Sequence, residues 1–527
     1  MKAKFIVVTG GVLSGLGKGI AAASIGNLLS SKLKVVPIKC DGYLNVDPGT
    51  MNPIEHGEVF VLDDGGEVDM DFGHYERFLE ITCKSSWNLT MGKVFDEVRK
   101  KERRGDYLGK TVQFIPHVTN IIKEKFFQIA NEENADVVLI EVGGTVGDIE
   151  NELYIEAVKQ LKKDVGDENI IYVHLTYVPI PRNVGEQKSK PTQQSVNLLM
   201  ERGIQPDIII GRCSEPIDEK TKEKIALFCN VDKRAVITGL DVKDVYEIPL
   251  NFEKEGISRI LHEKLRIYSP PDLTLWKELV ESRKNPEKEI TIALCGKYTS
   301  LEDSYVSIIE SLDHCGAHLC CKINLKFIDT TNEKEITSRL SDMDGILVPG
   351  GFGLRGTEGK IKAIQYAREN NIPFLGLCFG LQLAVIEFAR NICKLENANS
   401  TEINPSTEHP LVMILPNQLN VENKGGTMRL GSFKANVSGI VKELYGNSEI
   451  YERHRHRYEV NPKYHDLLRN NGLSLSGISP NGNLIEFIEI LNHKFFIATQ
   501  AHPEFKSSLL KPSPLFLGFV KACLNGK

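Results

Sequence analysis

Short, unbroken apolar runs recur through the first half of the chain: KFIVVTG at 4–10, KVVPIKC at 34–40, DVVLIEVGG at 136–144, IIYVHLTYV at 170–178 and PDIIIGRC at 206–213. None alternates cleanly with polar residues and none has the length of a buried helix, so each reads as a strand covered on both faces. Helix-like stretches separate them, and the rhythm of strand, glycine turn and helix predicts a doubly wound α/β domain with a mostly parallel sheet. Residues 267–289, IYSPPDLTLWKELVESRKNPEKE, break the rhythm with prolines and a charge-rich end and read as a linker. A second α/β series starts at ITIALCG, 290–296, and continues with LKFID, DGILVPGG and IPFLGLC; it then turns to LIEFIEI and KFFIATQ, whose alternation predicts a mixed sheet. The expected division is a first domain over 1–266, the linker 267–289 and a second domain over 290–527.

Composition narrows the classes. A chain of 527 residues is long for one core. Lys and Arg number 64 against 70 Asp and Glu, a net charge of -6, and both signs are interspersed. That pattern offers no basic footprint for nucleic acid, while local lysines still suit small anions. The apolar run in MKAKFIVVTGG is too short for a signal peptide, and no stretch has membrane-spanning length. Eleven cysteines form no CxxC pair, which favours reduced thiols and a cytoplasmic location.

Several segments carry chemistry. The loop GGVLSGLGKGI, 10–20, follows the first strand; its glycines let backbone N–H groups close on phosphate oxygens, and Lys18 adds a cation at the next helix start. The match to a P-loop is imperfect, because Gly19 stands where Ser or Thr would meet magnesium. Asp71 and Glu141 are hard oxygen donors for Mg²⁺. In KSKPTQQSV, 188–196, Lys188 and Lys190 would point the same way in an extended chain and could hold a triphosphate.

GLCFGLQ, 376–382, places Cys378 on a sharp turn between an apolar strand and a helix start, the mechanical arrangement of a nucleophile elbow. TQAHPEF supplies His502 as base and Glu504 as its orienting acid; PGGFG, 349–353, and the N–H of Phe379 offer oxyanion donors. These parts make an acyl-transfer site. His454 and His456 share a face of ERHRHRYEV; without a third ligand, a basic strand facing substrate is expected rather than a metal pair.

These motifs together resemble the CTP synthase family over essentially the whole chain. GGVLSGLGKGI, NVDPGTMNPIEHGEVFV, GHYERF, KERRGDYLGKTVQ, GGTVGDIE, KPTQ and KIALFCNV are similar to its amidoligase domain. PGGFG, GLCFGLQ, ENANSTE, GGTMRLG, ERHRHRYEVN and HPEF are similar to its class I glutaminase domain. The resemblance implies ATP-dependent amination of UTP to CTP through a 4-phosphorylated intermediate, with ammonia from L-glutamine, Mg²⁺ as cofactor, GTP as activator and CTP as inhibitor. It implies that Gly15, Leu16, Gly17, Lys18, Gly19, Ile20, Lys39, Asp71 and Val242 hold ATP, with Asp71 and Glu141 on the metal. Ser14, Asp148, Ile149, Glu150, Lys188, Lys190, Gln193, Lys224 and Phe228 would form the UTP and CTP sites. Gly351, Phe379, Gly380, Leu381, Gln382, Glu402 and Arg457 would contact glutamine around Cys378, His502 and Glu504. His56 and Val59 resemble residues beside an ammonia passage, and Arg429 resembles part of a GTP-responsive lid. A homotetramer and filaments, with no membrane or nucleic-acid partner, complete what the resemblance implies.

The chain departs from the commonest family pattern at Gly42, where proline is usual, and at Lys159, Gln194 and Leu240, and it is short before GGTMRLG. The alternative expectation is another glutamine-dependent ATP amidoligase acting on a carboxylate. That reading leaves KSKPTQQSV and GGTMRLG without a purpose.

Overall fold

The structure, a computed structural model, describes residues 3–51, 57–183, 185–296, 302–351, 353–414 and 428–525. It divides into two units, Met1–Asp47 with His74–Lys277, and Pro48–Gly73 with Glu278–Lys527.

The first unit is built on a seven-stranded sheet in the order Asn88–Thr90, Val35–Asp41, Val137–Val142, Lys4–Gly10, Ile170–Tyr177, Ile208–Cys213 and Val236–Leu240. Every pairing is parallel. The five apolar runs singled out in the sequence all supply strands, and they are buried on both faces; Phe5, Ile6, Val7 and Val8 have no exposed surface. Strand order reverses beside Lys4–Gly10, so the loop after that strand emerges where an open α/β sheet forms a crevice. The helix Lys18–Ser30 follows at once. Its Ala21, Ala22, Ala23 and Gly26 let it lie close on its neighbours: a Cβ at Gly26 would meet Leu79 at 3.0 Å.

The second unit carries a nine-stranded mixed sheet, as the alternation predicts. Its order is Cys321–Asp329, Lys288–Gly296, Gly345–Val348, Phe374–Leu377, Phe496–Thr499, Ile485–Glu489, Ser474–Ile478, Arg429–Val437 and Glu449–His456. The first five are parallel and the rest antiparallel.

Two boundaries differ from the sequence reading. The expected linker contains the helix Thr274–Lys284, and the division falls between Lys277 and Glu278 inside it. Residues 48–73, expected within the first domain, pack with the second unit. The reason is the hairpin Phe60–Val61 and Glu67–Val68. Phe60 meets Phe505 edge-on at 5.1 Å, Glu67 accepts from Arg455 Nε at 2.8 Å, and Asp63 is ion-paired to Arg453. A local pattern shows that such a hairpin needs a core, not which core receives it.

Candidate active site

Cys378 ends the strand Phe374–Leu377 and immediately precedes the helix Phe379–Asn391. Its φ of 51° is unusual for a side chain with a Cβ, the strained elbow expected where a nucleophile is displayed. The elbow is fixed by its own backbone N–H, which donates to Thr499 O at 2.7 Å. Thr499 closes the neighbouring strand, and three residues later His502 is tied down through its N–H to Arg453 O at 2.7 Å. The imidazole Nδ1 lies 2.7 Å from Glu504 Oε1, and the ring is also hydrogen-bonded to Cys378. Burial pushes His502 down, but the charges of Glu504 and Cys378 outweigh it, and the imidazole is raised to about 10. A protonated imidazole beside a thiol favours the thiolate. The expected triad is therefore assembled.

A cavity of about 170 Å³ opens over these groups, lined by Glu58, Val59, Tyr305, Pro349, Gly350, Gly351, Arg455 and Phe505 among others. Gly350 leaves the room it needs: a Cβ there would stand 3.0 Å from His502 Cε1 and 3.6 Å from Cys378 Cβ. Val59 thus shares the cavity with Cys378, while His56 lies outside the described residues.

Of the expected glutamine contacts, Gly351 lines this cavity. Phe379, Gly380, Leu381 and Gln382 form the first helical turn and are buried. The N–H of Phe379 is the first of that turn, while the N–H groups of Leu381 and Gln382 donate to Cys378 O at 3.0 and 3.3 Å. Glu402 accepts from Gly353 N–H at 2.8 Å and so braces the glycine loop. Arg457 stands at the bend between Glu449–His456 and Tyr458–Val460. The sequence reading missed Arg455, which lines the cavity and pairs with Glu67.

His454 and His456 do share a face, with Nδ1 of the first 3.0 Å from Nε2 of the second, but that face points inward. Burial, then Arg429, drives both well below the ordinary histidine value, so they are neutral and do not make a basic strand. Arg429 is likewise interior: it pairs with Glu459 at 3.0 Å and Glu486 at 2.6 Å, and burial raises Glu459 to about 8. Residues 415–427, which precede it and include the first three residues of GGTMRLG, lie outside the described residues.

In the first unit, Lys18 opens its helix and donates to Gly144 O at 2.7 Å. Gly15 and Gly17 take φ of 79° and 85°, the left-handed turn that aims this loop. Leu16 and Gly17 line a narrow slot with Arg212, Thr238, Leu240 and Asn251. Gly19 and Ile20 continue the helix, and Val242 follows the strand Val236–Leu240. Arg212 was missed; its signal was a lone cation at the end of a buried strand, PDIIIGRC.

A larger cavity, about 720 Å³, brings Lys188, Lys190, Gln193, Lys224 and Phe228 together, with Lys220 beside them. That volume suits a nucleotide-sized ligand. The extended geometry expected for 188–190 is corrected: Lys190 opens the helix Lys190–Glu201, and Pro191 sits in its first turn, where a missing N–H is no loss. The helix N-terminus joins the lysines in favouring an anion. Ser14 stands exposed in the loop. Asp148 accepts from Thr145 N–H at 2.8 Å, and Ile149 is 81% exposed. Glu150 packs on Gly42, where a Cβ would come within 2.8 Å of Glu150 O; the departure at Gly42 thus fits this backbone contact.

Behind the loop, Thr9 Oγ1 and Ser195 Oγ flank His174, at 2.9 Å from Nδ1 and 2.7 Å from Nε2. Of the expected metal ligands, Glu141 is buried, with one oxygen 2.7 Å from Lys39 Nζ and the other accepting from Tyr75 Oη, and Asp71 begins the helix Asp71–Leu79. Among the described residues no group of three or more metal-ligating side chains occurs.

Comparison with known proteins matches residues 4–267 to the CTP synthase N-terminus family and residues 300–522 to the class-I glutamine amidotransferase family. The chain is 55% identical to the CTP synthase of Methanococcus maripaludis, over 99% of this chain and 100% of that one. It is 54% identical to that of Methanocaldococcus jannaschii, over 99% of both. A solved Trypanosoma brucei CTPS glutaminase domain with bound acivicin is similar at 37% identity and a TM-score of 0.42, covering 45% of this chain and 94% of that one.

Proposed function

The chain belongs to the CTP synthase family, and from that premise we propose that its two units divide glutamine-dependent CTP formation between them. In the second unit Cys378 attacks the glutamine carboxamide carbon. His502, held protonated by Glu504, gives its proton to the departing nitrogen. The backbone N–H groups of Phe379 and of Gly350 or Gly351 would donate to the developing oxyanion. Water, deprotonated by the now neutral His502, then adds to the thioester carbon and expels the sulfur, releasing glutamate and restoring the thiolate beside protonated His502.

In the first unit the 14–20 loop with Lys18 takes the ATP phosphates, and the slot lined by Leu240 takes the base. The cavity of Lys188, Lys190, Gln193, Lys224 and Phe228 takes UTP. Uracil O4 is a poor leaving group, so it first receives the γ-phosphoryl group; ammonia then adds at C4 and phosphate leaves, giving CTP. Asp71 and Glu141 would hold Mg²⁺, whose charge would offset that of the ATP phosphates. GTP as activator, CTP as inhibitor at Asp148–Glu150, a homotetramer and a cytoplasmic setting are part of the same proposal, supported by the resemblance of the motifs. No described helix is long and apolar enough to cross a membrane.

The assembled Cys378–His502–Glu504 group carries this reading. Its test is Cys378→Ala, assayed for CTP formation from UTP and ATP with either glutamine or ammonia. Glutamine-driven synthesis should fall by several orders of magnitude, since the nucleophile is gone, and ammonia-driven synthesis should persist. Retained glutamine-driven activity would exclude Cys378 as the nucleophile. The alternative acceptor, a carboxylate, is separated by omitting UTP.

A further inference from the structure

Gln500 is fully buried at the end of the strand that leads to His502, and its side chain does not face the protein at random. Its backbone is held through N–H to Glu486 O at 2.9 Å. One end of its amide lies 3.3 Å from Gln382 Nε2, and the other lies 3.6 Å from Cys378 Sγ.

Neighbouring groups decide which end is which. Gln382 places an amide atom 3.0 Å from Tyr458 O, and a carbonyl only accepts, so that atom is the NH₂ group. The same NH₂ faces Gln500, which must present its oxygen there. The NH₂ of Gln500 is therefore turned toward the sulfur. Sγ also lies 3.9 Å from Arg455 O, an acceptor that serves a thiol and not a thiolate.

We propose that Gln500 is a positioning residue for the nucleophile, donating an amide N–H to the Cys378 thiolate through an orientation fixed by the chain Tyr458 O, Gln382, Gln500, Sγ. A donor to an ionised sulfur stabilises the anion over the thiol, and it holds Sγ against rotation away from the carbonyl it attacks. The inference rests on Cys378 being the nucleophile, and it assigns Gln382 a part in setting the thiol's environment in addition to any contact with glutamine.

The experiment follows alkylation of Cys378 by iodoacetamide as a function of pH, in the full-length enzyme, with the modified peptide quantified by mass spectrometry so that other cysteines do not intrude. In Gln500→Met, which keeps the bulk but removes the donor, the midpoint should move upward by about one pH unit, and alkylation below it should slow about tenfold. Glutamine-driven kcat should fall by a similar factor with KM little changed, while ammonia-driven synthesis reports that the fold is intact. Gln382→Met should move the midpoint the same way by less, because Gln500 then loses the donor that orients it. A Gln500→Met profile that superimposes on the wild type would overturn the role of Gln500. Wild-type enzyme that still hydrolyses glutamine after complete alkylation of Cys378 would instead overturn the assignment of the nucleophile.

Discussion

His502 and His174 titrate in opposite directions, and the difference is a matter of neighbours. His502 sits between a carboxylate and a thiol and is raised to about 10 from an ordinary 6.5. His174 is enclosed by two hydroxyls, and burial, reinforced by Lys18, lowers it to about 3. For His502 the folded state holds its proton more tightly than the unfolded chain, so the stabilisation is complete below pH 6.5 and is lost as pH rises through about 10. His502→Gln should remove that alkaline slope from thermal unfolding measured between neutral and alkaline pH. For His174 the unfolded chain binds the extra proton, so stability falls as pH drops below 6.5, by about 1.4 kcal/mol per pH unit at most, until the folded group also titrates near 3. His174→Gln should flatten the acid limb in denaturant titrations. Both side chains were visible in the sequence, but only His502 drew notice there, because HPEF offers its orienting acid two residues away. The hydroxyls around His174 come from positions 9 and 195 and leave no local trace.

At the scale of elements, the strand-to-helix turns were legible because glycine and a change of hydrophobic period mark them; the elbow at Cys378 and the loop before Lys18 stand where those signals put them. An extended chain was the expectation for Lys188 and Lys190, yet Lys190 opens a helix, and the proline after it is at home in a first helical turn. The strand Arg429–Val437 shows what a pattern leaves open. Gly431 there has φ of 94°, and a Cβ would come 2.7 Å from Gly65 N and 2.8 Å from Asp63 O, both backbone atoms that cannot swing aside. The adjacent Ser432 N–H donates to Asp63 O at 2.9 Å. Gly431→Ala should therefore push the 60–68 hairpin off this strand and lower stability by about 1–3 kcal/mol, seen as a reduced unfolding midpoint and faster proteolysis within 57–69.

For the whole molecule, the consequential feature is that the second unit is discontinuous in the chain. Residues 48–73 bring Phe60 against Phe505 and Asp63 and Glu67 against Arg453 and Arg455, beside the cavity over Cys378. A protein comprising only 278–527 would leave buried Arg453 and partly buried Arg455 without these carboxylates, and it should unfold at lower temperature and hydrolyse glutamine poorly; joining residues 57–69 to it should restore much of both. Equal stability of the two forms, by calorimetry, would count against a structural role for the segment. The sequence by itself determined the alternation of strands and helices, the parallel and then mixed character of the two sheets, and the glycine-flanked elbow at Cys378. Those properties are written in short-range periodicity, in glycine turns and in side-chain chemistry. Only the tertiary structure decided which unit receives residues 48–73, that His454, His456 and Arg429 face inward, and that Gln500 turns its amide to the sulfur. Each of these depends on which distant segments meet, and hydrophobic patterning states that a face must be buried without stating against what.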